Sequence, residues 1–283
     1  MSSALVIARY ALREAVRRRV ILVVLMLTLC FLALYALGCQ VTFDQIEAPG
    51  GPDEFDERVL AGATLLGLSM FTTLFLGAVL AVFLTLGAVR GDAERGLLQP
   101  LVVRPVGRTS LLLGRFAGAA AVCAAYVALI YAAAVLITGI LGDWWPDRIL
   151  GPGLGLVAAV VVIAALSILG SIFLSSTANG IAVFMLFGAG LAAGLLGQIG
   201  EALSVETLED VAEVSSWLLP FEALYQAGLH GLTADIGGIT GVIVNLGPFG
   251  GAQEAGAGLW LWTAAYLALL GVWARHAFMR RDL

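Results

Sequence analysis

The sequence predicts an all-α membrane protein with six transmembrane helices, on three observations: its composition, its uncharged runs and the placement of its arginines. Of its 283 residues 60% are hydrophobic and 12% are charged, whereas soluble domains are about 45–50% apolar. Six runs contain no Asp, Glu, Lys, Arg or His, and each is long enough to cross a bilayer, whose ~30 Å core needs about 20 helical residues. These runs are roughly 20–38, 61–89, 116–141, 154–174, 181–199 and 259–274.

The arginines orient the spans. All 15 basic residues are Arg, and 13 of them lie before span one, between spans two and three, or after span six. Cytoplasmic segments carry such an excess, so we expect both termini in the cytoplasm, with the chain crossing the membrane several times. Arg58 and Arg148 are the exceptions, and 16 of the 20 acidic residues fall on the other side. We treat residues 1–283 as one transmembrane domain.

Residues 2–19 predict an amphipathic helix on the inner membrane surface. Leu5 and Leu12 lie on one face, while Arg9, Arg13 and Arg17 form a stripe at intervals of four residues. Guanidinium groups in such a stripe meet anionic headgroups. The alternative is a plain topology signal with no further role.

Two external regions are predicted, an acid-rich turn over 39–60 and a longer region over 200–258. In the second, Val205, Leu208, Val211 and Ala212 share the apolar face of an amphipathic helix,. The following segment, 217–233, is apolar around Glu222 and predicts a re-entrant or interfacial helix, with Pro220, Glu222 and Tyr225 as a possible external gate. Because an unpaired buried charge is costly, Glu222 needs a hydrogen-bond partner or a raised pKa. Its role is either to cap that helix or to contact a substrate.

Motifs for chemistry are absent from the sequence. It has no GxxxxGK[ST] nucleotide loop, no HExxH and no CxxC,. Cys30, Cys39 and Cys123 follow no motif and are expected to be small buried hydrophobic residues. We expect no catalytic residue, no bound metal or cofactor, and no nucleic-acid partner. The hydroxyl residues of the spans predict helix packing, with substrate lining as the alternative; they include Ser69, Thr72, Thr73, Thr85, Ser167 and Ser171.

The segment between spans two and three, 90–115, carries the clearest signal. Asp92 is placed to cap a short cytoplasmic helix, and Leu97, Leu98 and Val102 are apolar although five arginines surround them. An apolar patch in such a place either enters the headgroup layer or docks into a groove on another protein. The order of acid, Gly, apolar pair, Arg-Pro and Gly-Arg favours docking.

These residues resemble the type-2 class of ATP-binding-cassette (ABC) export permeases, especially the subgroup associated with multicopper-enzyme maturation. The segments 218–226 (LLPFEALYQ) and 278–283 (FMRRDL) are similar to the same family. The residues that carry the resemblance between spans two and three are Glu94, Gly96, Leu97, Leu98, Arg104, Pro105, Val106, Arg108, Gly114, Arg115 and Phe116. The resemblance covers the whole chain, and one departure is Arg115, where Lys is common.

The resemblance implies a coupling element, an amino-terminal elbow helix over 2–19, and short external re-entrant helices between spans five and six. The coupling residues would be Asp92, Glu94, Leu97, Leu98, Val102, Arg104 and Arg108. They would insert into a separate ATPase subunit, which would bind ATP and Mg. Two such ATPases would serve two permease copies, as a homodimer or heterodimer embedded in membrane lipid.

The expected function is the transmembrane subunit of an ATP-driven exporter. Spans without carboxylates or imidazoles supply no ion-driven force of their own. The cargo would be hydrophobic or amphipathic, or the exporter would serve envelope copper-enzyme maturation. The alternatives are a non-transporting mechanotransmitter or scaffold driven by an ATPase and, less favoured, a secondary transporter or channel.

Overall fold

A computed structural model describes residues 19–46, 56–86, 108–233 and 256–280, and every regular element in these ranges is an α-helix. Six of the eight helices are long and apolar enough to cross a membrane, and the two shorter ones, α6 and α7, lie between spans five and six. The helices are α1 Arg19–Asp44, α2 Glu57–Thr85, α3 Arg108–Gly142, α4 Leu150–Phe173, α5 Ser176–Leu203, α6 Glu206–Leu218, α7 Pro220–Thr233 and α8 Ala257–Met279. The predicted fold class is confirmed.

Several helices extend beyond the uncharged runs that predicted them. α1 continues to Asp44, and α3 begins at Arg108, eight residues before its apolar run. A helix propagates at low cost once it is nucleated, so polar residues at its ends stay helical. Residues 108–115, assigned from the sequence to the coupling segment, are thus the first two turns of α3. The first external turn is shortened in the same way.

α4 is the centre of the bundle. It packs against α2, α3, α5, α7 and α8, and 67% of its most apolar window is buried, as is the same share of α2. The corresponding shares are 22% for α1 and 17% for both α5 and α8. These three helices therefore offer the surfaces that meet lipid or another protein chain.

Hydroxyl side chains join helices inside the bundle. Thr28 and Tyr126 form an O–H···O hydrogen bond of 2.5 Å between α1 and α3. Tyr35 and Thr138 repeat the arrangement further along the same two helices, at 2.6 Å. The predicted packing role of hydroxyl residues is confirmed for Thr85 and Ser167, which bond to each other between α2 and α4, whereas the buried hydroxyls of Ser69 and Thr73 donate to carbonyls of their own helix.

The three cysteines are free thiols. Cys39 and Cys123 are fully buried, as expected of small hydrophobic residues, whereas Cys30 is exposed on α1. Most side chains of α1 point outward from the bundle, and Cys30 is one of them.

Some predictions concern residues outside the described ranges. They are the elbow helix before Arg19, the acid-rich turn over 47–55, and part of the external region, 234–255. The coupling residues Asp92, Glu94, Leu97, Leu98, Val102 and Arg104 also lie outside the described ranges.

Candidate functional site

The end of α5 turns the chain back so that α6 packs along α5. Ser204 has a left-handed backbone, with φ of 53°. The amide of Val205 donates to the carbonyl of Gly200 at 2.9 Å, a bond that spans five residues and is typical of a helix ended by a left-handed residue. The reversal brings α6 back over the last turns of α5.

A row of glycines on α5 receives α6 and α7. A Cβ atom added at Gly197 would lie 2.7 Å from Cβ of Ala212, and one added at Gly200 would lie 2.9 Å from Cβ of Leu208. Further back along α5, Gly190 contacts the Phe221 ring and Gly194 contacts the Glu222 carboxyl. Without a side chain at these positions, the backbones of the helices approach closely. We call Gly190, Gly194, Gly197 and Gly200 the glycine row.

The apolar face predicted for α6 is divided in the structure. Leu208 and Ala212 face α5, but Val205 and Val211 are exposed. The glycine row explains this division, because it accepts side chains four residues apart on one stripe of α6. The predicted helix is present as α6, and Val205 immediately precedes its first residue.

α7 packs against five other helices, α2, α4, α5, α6 and α8. Its Phe221 ring is fully buried and stacks on Phe187 of α5, with ring centroids 5.9 Å apart. Gly155 of α4 lies against the carbonyl of Leu224, and Gly228 contacts Met70 of α2. Pro220 begins the helix, at a position where its missing N–H costs no hydrogen bond,.

Glu222 is a buried carboxyl between α7 and α5. Its exposed fraction is 6%. The side-chain amide of Gln226 donates to Glu222 Oε1 at 2.8 Å, and Gln226 in turn accepts from Gln198 of α5 at 3.2 Å. Burial raises the pKa of Glu222 to about 7, and the bond from Gln226 opposes part of that shift. The prediction of a partner or a raised pKa is confirmed in both respects.

The three predicted gate residues lie together in the first two turns of α7. Tyr225 is 5% exposed and contacts the ring of Phe71 on α2, with centroids 6.4 Å apart. Burial raises the pKa of Tyr225, and the neighbouring charge of Glu222 raises it further. Gln198 was missed from the sequence, since it is 28 residues before its partner Gln226 and reaches it only through the reversal at Ser204.

Two side chains of α8 donate hydrogen bonds to backbone carbonyls at the junction of α6 and α7. The indole N–H of Trp262 donates to the Trp217 carbonyl at 3.0 Å, and the Tyr266 hydroxyl donates to the Leu218 carbonyl at 2.8 Å. The rings of Trp217 and Trp262 meet edge to face, 5.2 Å apart. Aromatic side chains of this kind are frequent where a membrane meets water.

A second polar group of residues links α2, α4 and α5 where α2 ends. Thr85 donates to the Ser167 hydroxyl at 2.5 Å, and Asn179 donates to the Ser167 carbonyl at 2.9 Å. All three side chains are buried. α2 ends at Thr85, so the predicted coupling segment begins a few residues later. We call Thr85, Ser167 and Asn179 the polar node.

The described residues contain no group of three or more His, Cys, Asp or Glu side chains placed to hold a metal ion. The site they build is a helix contact with one buried carboxyl.

Residues 5–283 match the model of the ABC-2 family transporter proteins. The chain belongs to this family. Nothing among curated proteins matches it. Membership makes it a membrane subunit of an ABC transporter, a class that works with an ABC ATPase, and the six spans agree with a permease of the ABC-2 type. Arg108, the one predicted coupling residue in the described part of this ABC-2 chain, begins α3.

Proposed function

We propose that the chain is the permease subunit of an ATP-driven exporter in a prokaryotic inner membrane, with both termini in the cytoplasm. Two copies of the chain and two ATPase subunits, which bind ATP and Mg, form the transporter. Residues 1–283 act as one permease domain, and the end of the bundle that carries α6 and α7 faces the outside. The arginine distribution supports this orientation,.

The observation that carries the proposal is the lack of a built-in driving force in a six-span ABC-2 chain. The six uncharged runs contain no Asp, Glu, Lys, Arg or His. Transporters driven by ion gradients keep such groups inside the membrane. Energy therefore comes from the ATPase, and a secondary transporter or channel is the less favoured function.

The coupling element is the sequence from Asp92 to Arg108. Leu97, Leu98 and Val102 fill an apolar groove on the ATPase, while Glu94 and Arg104 form ion pairs at its rim. Buried apolar contacts at the centre of an interface contribute most of the affinity, and exposed rim charges contribute less. ATP-driven closure of the ATPases pushes this element and moves the spans between inward-open and outward-open states.

The test is the double variant Leu97→Ala with Leu98→Ala, purified with its ATPase. We expect loss of the ATPase from the complex, or ATP turnover that no longer responds to substrate, because two buried side chains of this size contribute a few kcal/mol. Glu94→Ala should have a smaller effect that grows at high salt. The matched control is Leu150→Ala with Leu154→Ala, two exposed leucines of α4.

A double variant that copurifies with an undiminished and fully coupled ATPase would remove the basis of the proposal. An alternative, in which the segment rests on lipid headgroups, gives weaker membrane binding of the segment and unchanged ATPase association.

A hydrophobic or amphipathic cargo suits the uncharged spans, and the multicopper-maturation subgroup suggests service to an envelope copper enzyme. A second candidate function is a mechanotransmitter, in which ATPase strokes reshape an external partner. The exposed apolar side chains of α6 favour it, since Val214, Trp217 and Leu218 are each more than half exposed. Reconstituted vesicles separate the two: an exporter moves cargo with the ATPase alone, and a transmitter requires its partner.

A further inference from the structure

Glu222 occupies a closed contact between α7 and α5. Its carboxyl lies directly against Gly194, where any side chain on α5 would collide with it. The Gln226 side-chain amide donates to this carboxyl at 2.8 Å. A neutral amide stabilises a carboxylate less than a cation does, so a charged Glu222 would be poorly compensated in this contact.

The charged groups on the elements around α7 do not account for the state of Glu222. They are Glu57 and Arg58 at the start of α2, Glu201 in the last turn of α5, Glu206, Glu209, Asp210 and Glu213 on α6, His230 on α7, and Arg275 and His276 on α8; α4 has none. Burial has the largest effect on the Glu222 pKa and raises it. The hydrogen bond from Gln226 has the second largest effect and lowers it. Tyr225 is the titratable neighbour that senses the Glu222 charge.

We propose that Glu222 is a proton-binding site that reports whether α7 is packed against α5. Below about pH 7 the carboxyl holds a proton while the Gly194 contact is closed. When α7 moves away and water reaches the carboxyl, the proton passes to that water and Glu222 becomes a carboxylate. The inference rests on the proposed function only for the source of the proton, which is then the external solution.

The direction of the pH effect follows from linkage. The pKa of Glu222 is about 7 in the closed contact against 4.5 for an ordinary Glu. The closed form is therefore favoured most below pH 4.5 and loses that advantage as the pH rises to about 7. At higher pH Glu222 is charged in both forms, and its effect on the closed form no longer changes with pH. If opening hydrates the Glu222 carboxyl fully, its pKa falls from about 7 to 4.5. Its proton affinity then falls about 300-fold, because each pKa unit is a factor of ten.

Infrared titration of the full-length chain in lipid nanodiscs tests this inference. Glu222→Gln identifies the carboxyl band that belongs to Glu222, and it preserves the size of the side chain. In the unmodified protein we expect the band of the protonated carboxyl to disappear as the pH is raised, with a midpoint near pH 7. A band that is absent, or that titrates near 4.5, would overturn the proton site.

Gly194→Ala tests the link to the helix contact, because the added methyl group collides with the Glu222 carboxyl and displaces it from its place against Gly194. The midpoint should fall toward 4.5 in this variant, an effect of up to about 300-fold on proton affinity,. Gly188→Ala is the matched control on the same helix, with no atom within 4 Å of the added methyl group, and should keep the midpoint near 7. An unchanged midpoint in Gly194→Ala overturns the link.

The titration needs no nucleotide, cargo or ATPase. A failure of the proposed exporter function would therefore leave the infrared result unchanged, and a failure of the proton site would leave the coupling test unchanged.

Discussion

Replacing Gly197 by Ala should separate α6 from α5. The new methyl carbon would lie 2.7 Å from Cβ of Ala212. Neither group has a rotamer that relieves the contact, so the helices must move apart. Overpacking of this kind costs about 1–3 kcal/mol, while Gly to Ala in a helix gains up to about 1 kcal/mol. The net effect of Gly197→Ala is a loss of about 0–3 kcal/mol.

Gly188→Ala makes the same chemical change on the same helix without a collision. Only the helix-propensity gain remains there, so this variant should be more stable than the unmodified protein by up to about 1 kcal/mol. The gain in helix propensity is the same in both variants and cancels when they are compared. The remaining difference in their free energy of unfolding, about 1–3 kcal/mol, measures the contact between α5 and α6.

Thermal unfolding in one detergent compares the two stabilities. Cleavage by a Glu-specific protease reports α6 itself, because Glu206, Glu209 and Glu213 are exposed on it and local unfolding speeds cleavage,. We expect faster cleavage at these residues in Gly197→Ala alone. Equal stability changes and equal cleavage rates in the two variants would refute the close packing of α6 on the glycine row.

Two further predictions concern the polar node and the topology. Thr85→Val removes the donor to Ser167 and should cost about 0.6–1.7 kcal/mol, lowering substrate-stimulated ATP turnover more than expression. Thr72→Val, whose hydroxyl donates to the Leu68 carbonyl of its own helix, is the control, and equal effects of both would argue against the node. In a Cys-free background, single cysteines at positions 53 and 209 should react with an external thiol reagent and one at 95 should not; labelling at 95 in intact cells would reverse the topology.

The spans were predictable from the sequence because lipid excludes charge from long helices. Their ends were less predictable, as α1 and α3 show, since the last charged residue does not decide where hydrogen bonding within a helix stops. The environment of Glu222 was also predictable in outline. A lone carboxyl in an apolar segment must either find a partner or stay protonated.

The direct partner of that carboxyl, Gln226, is four residues later on the same helix, but the next residue of the network, Gln198, was beyond reach from the sequence. Gln198 contacts Gln226 only because the backbone reverses at Ser204, and nothing in the sequence marks this serine for a left-handed conformation. The glycine row can be read as small residues at intervals of three or four, but such a pattern does not name the helix that packs on it. The polar node was hidden for the same reason, because Ser167 and Asn179 meet Thr85 only after three spans have packed.

α2 connects the two ends of the molecule where function is proposed. One end of this helix, at Thr85, directly precedes the coupling segment, and its middle contacts α7 through Met70 and Phe71. About 14 helical residues, or roughly 21 Å, separate Phe71 from Thr85. This stretch contains no proline, the most common cause of a sharp kink in a helix,. Movement of the coupling segment would therefore shift the surface on which Tyr225 and Gly228 rest, and with it the closed contact that buries Glu222.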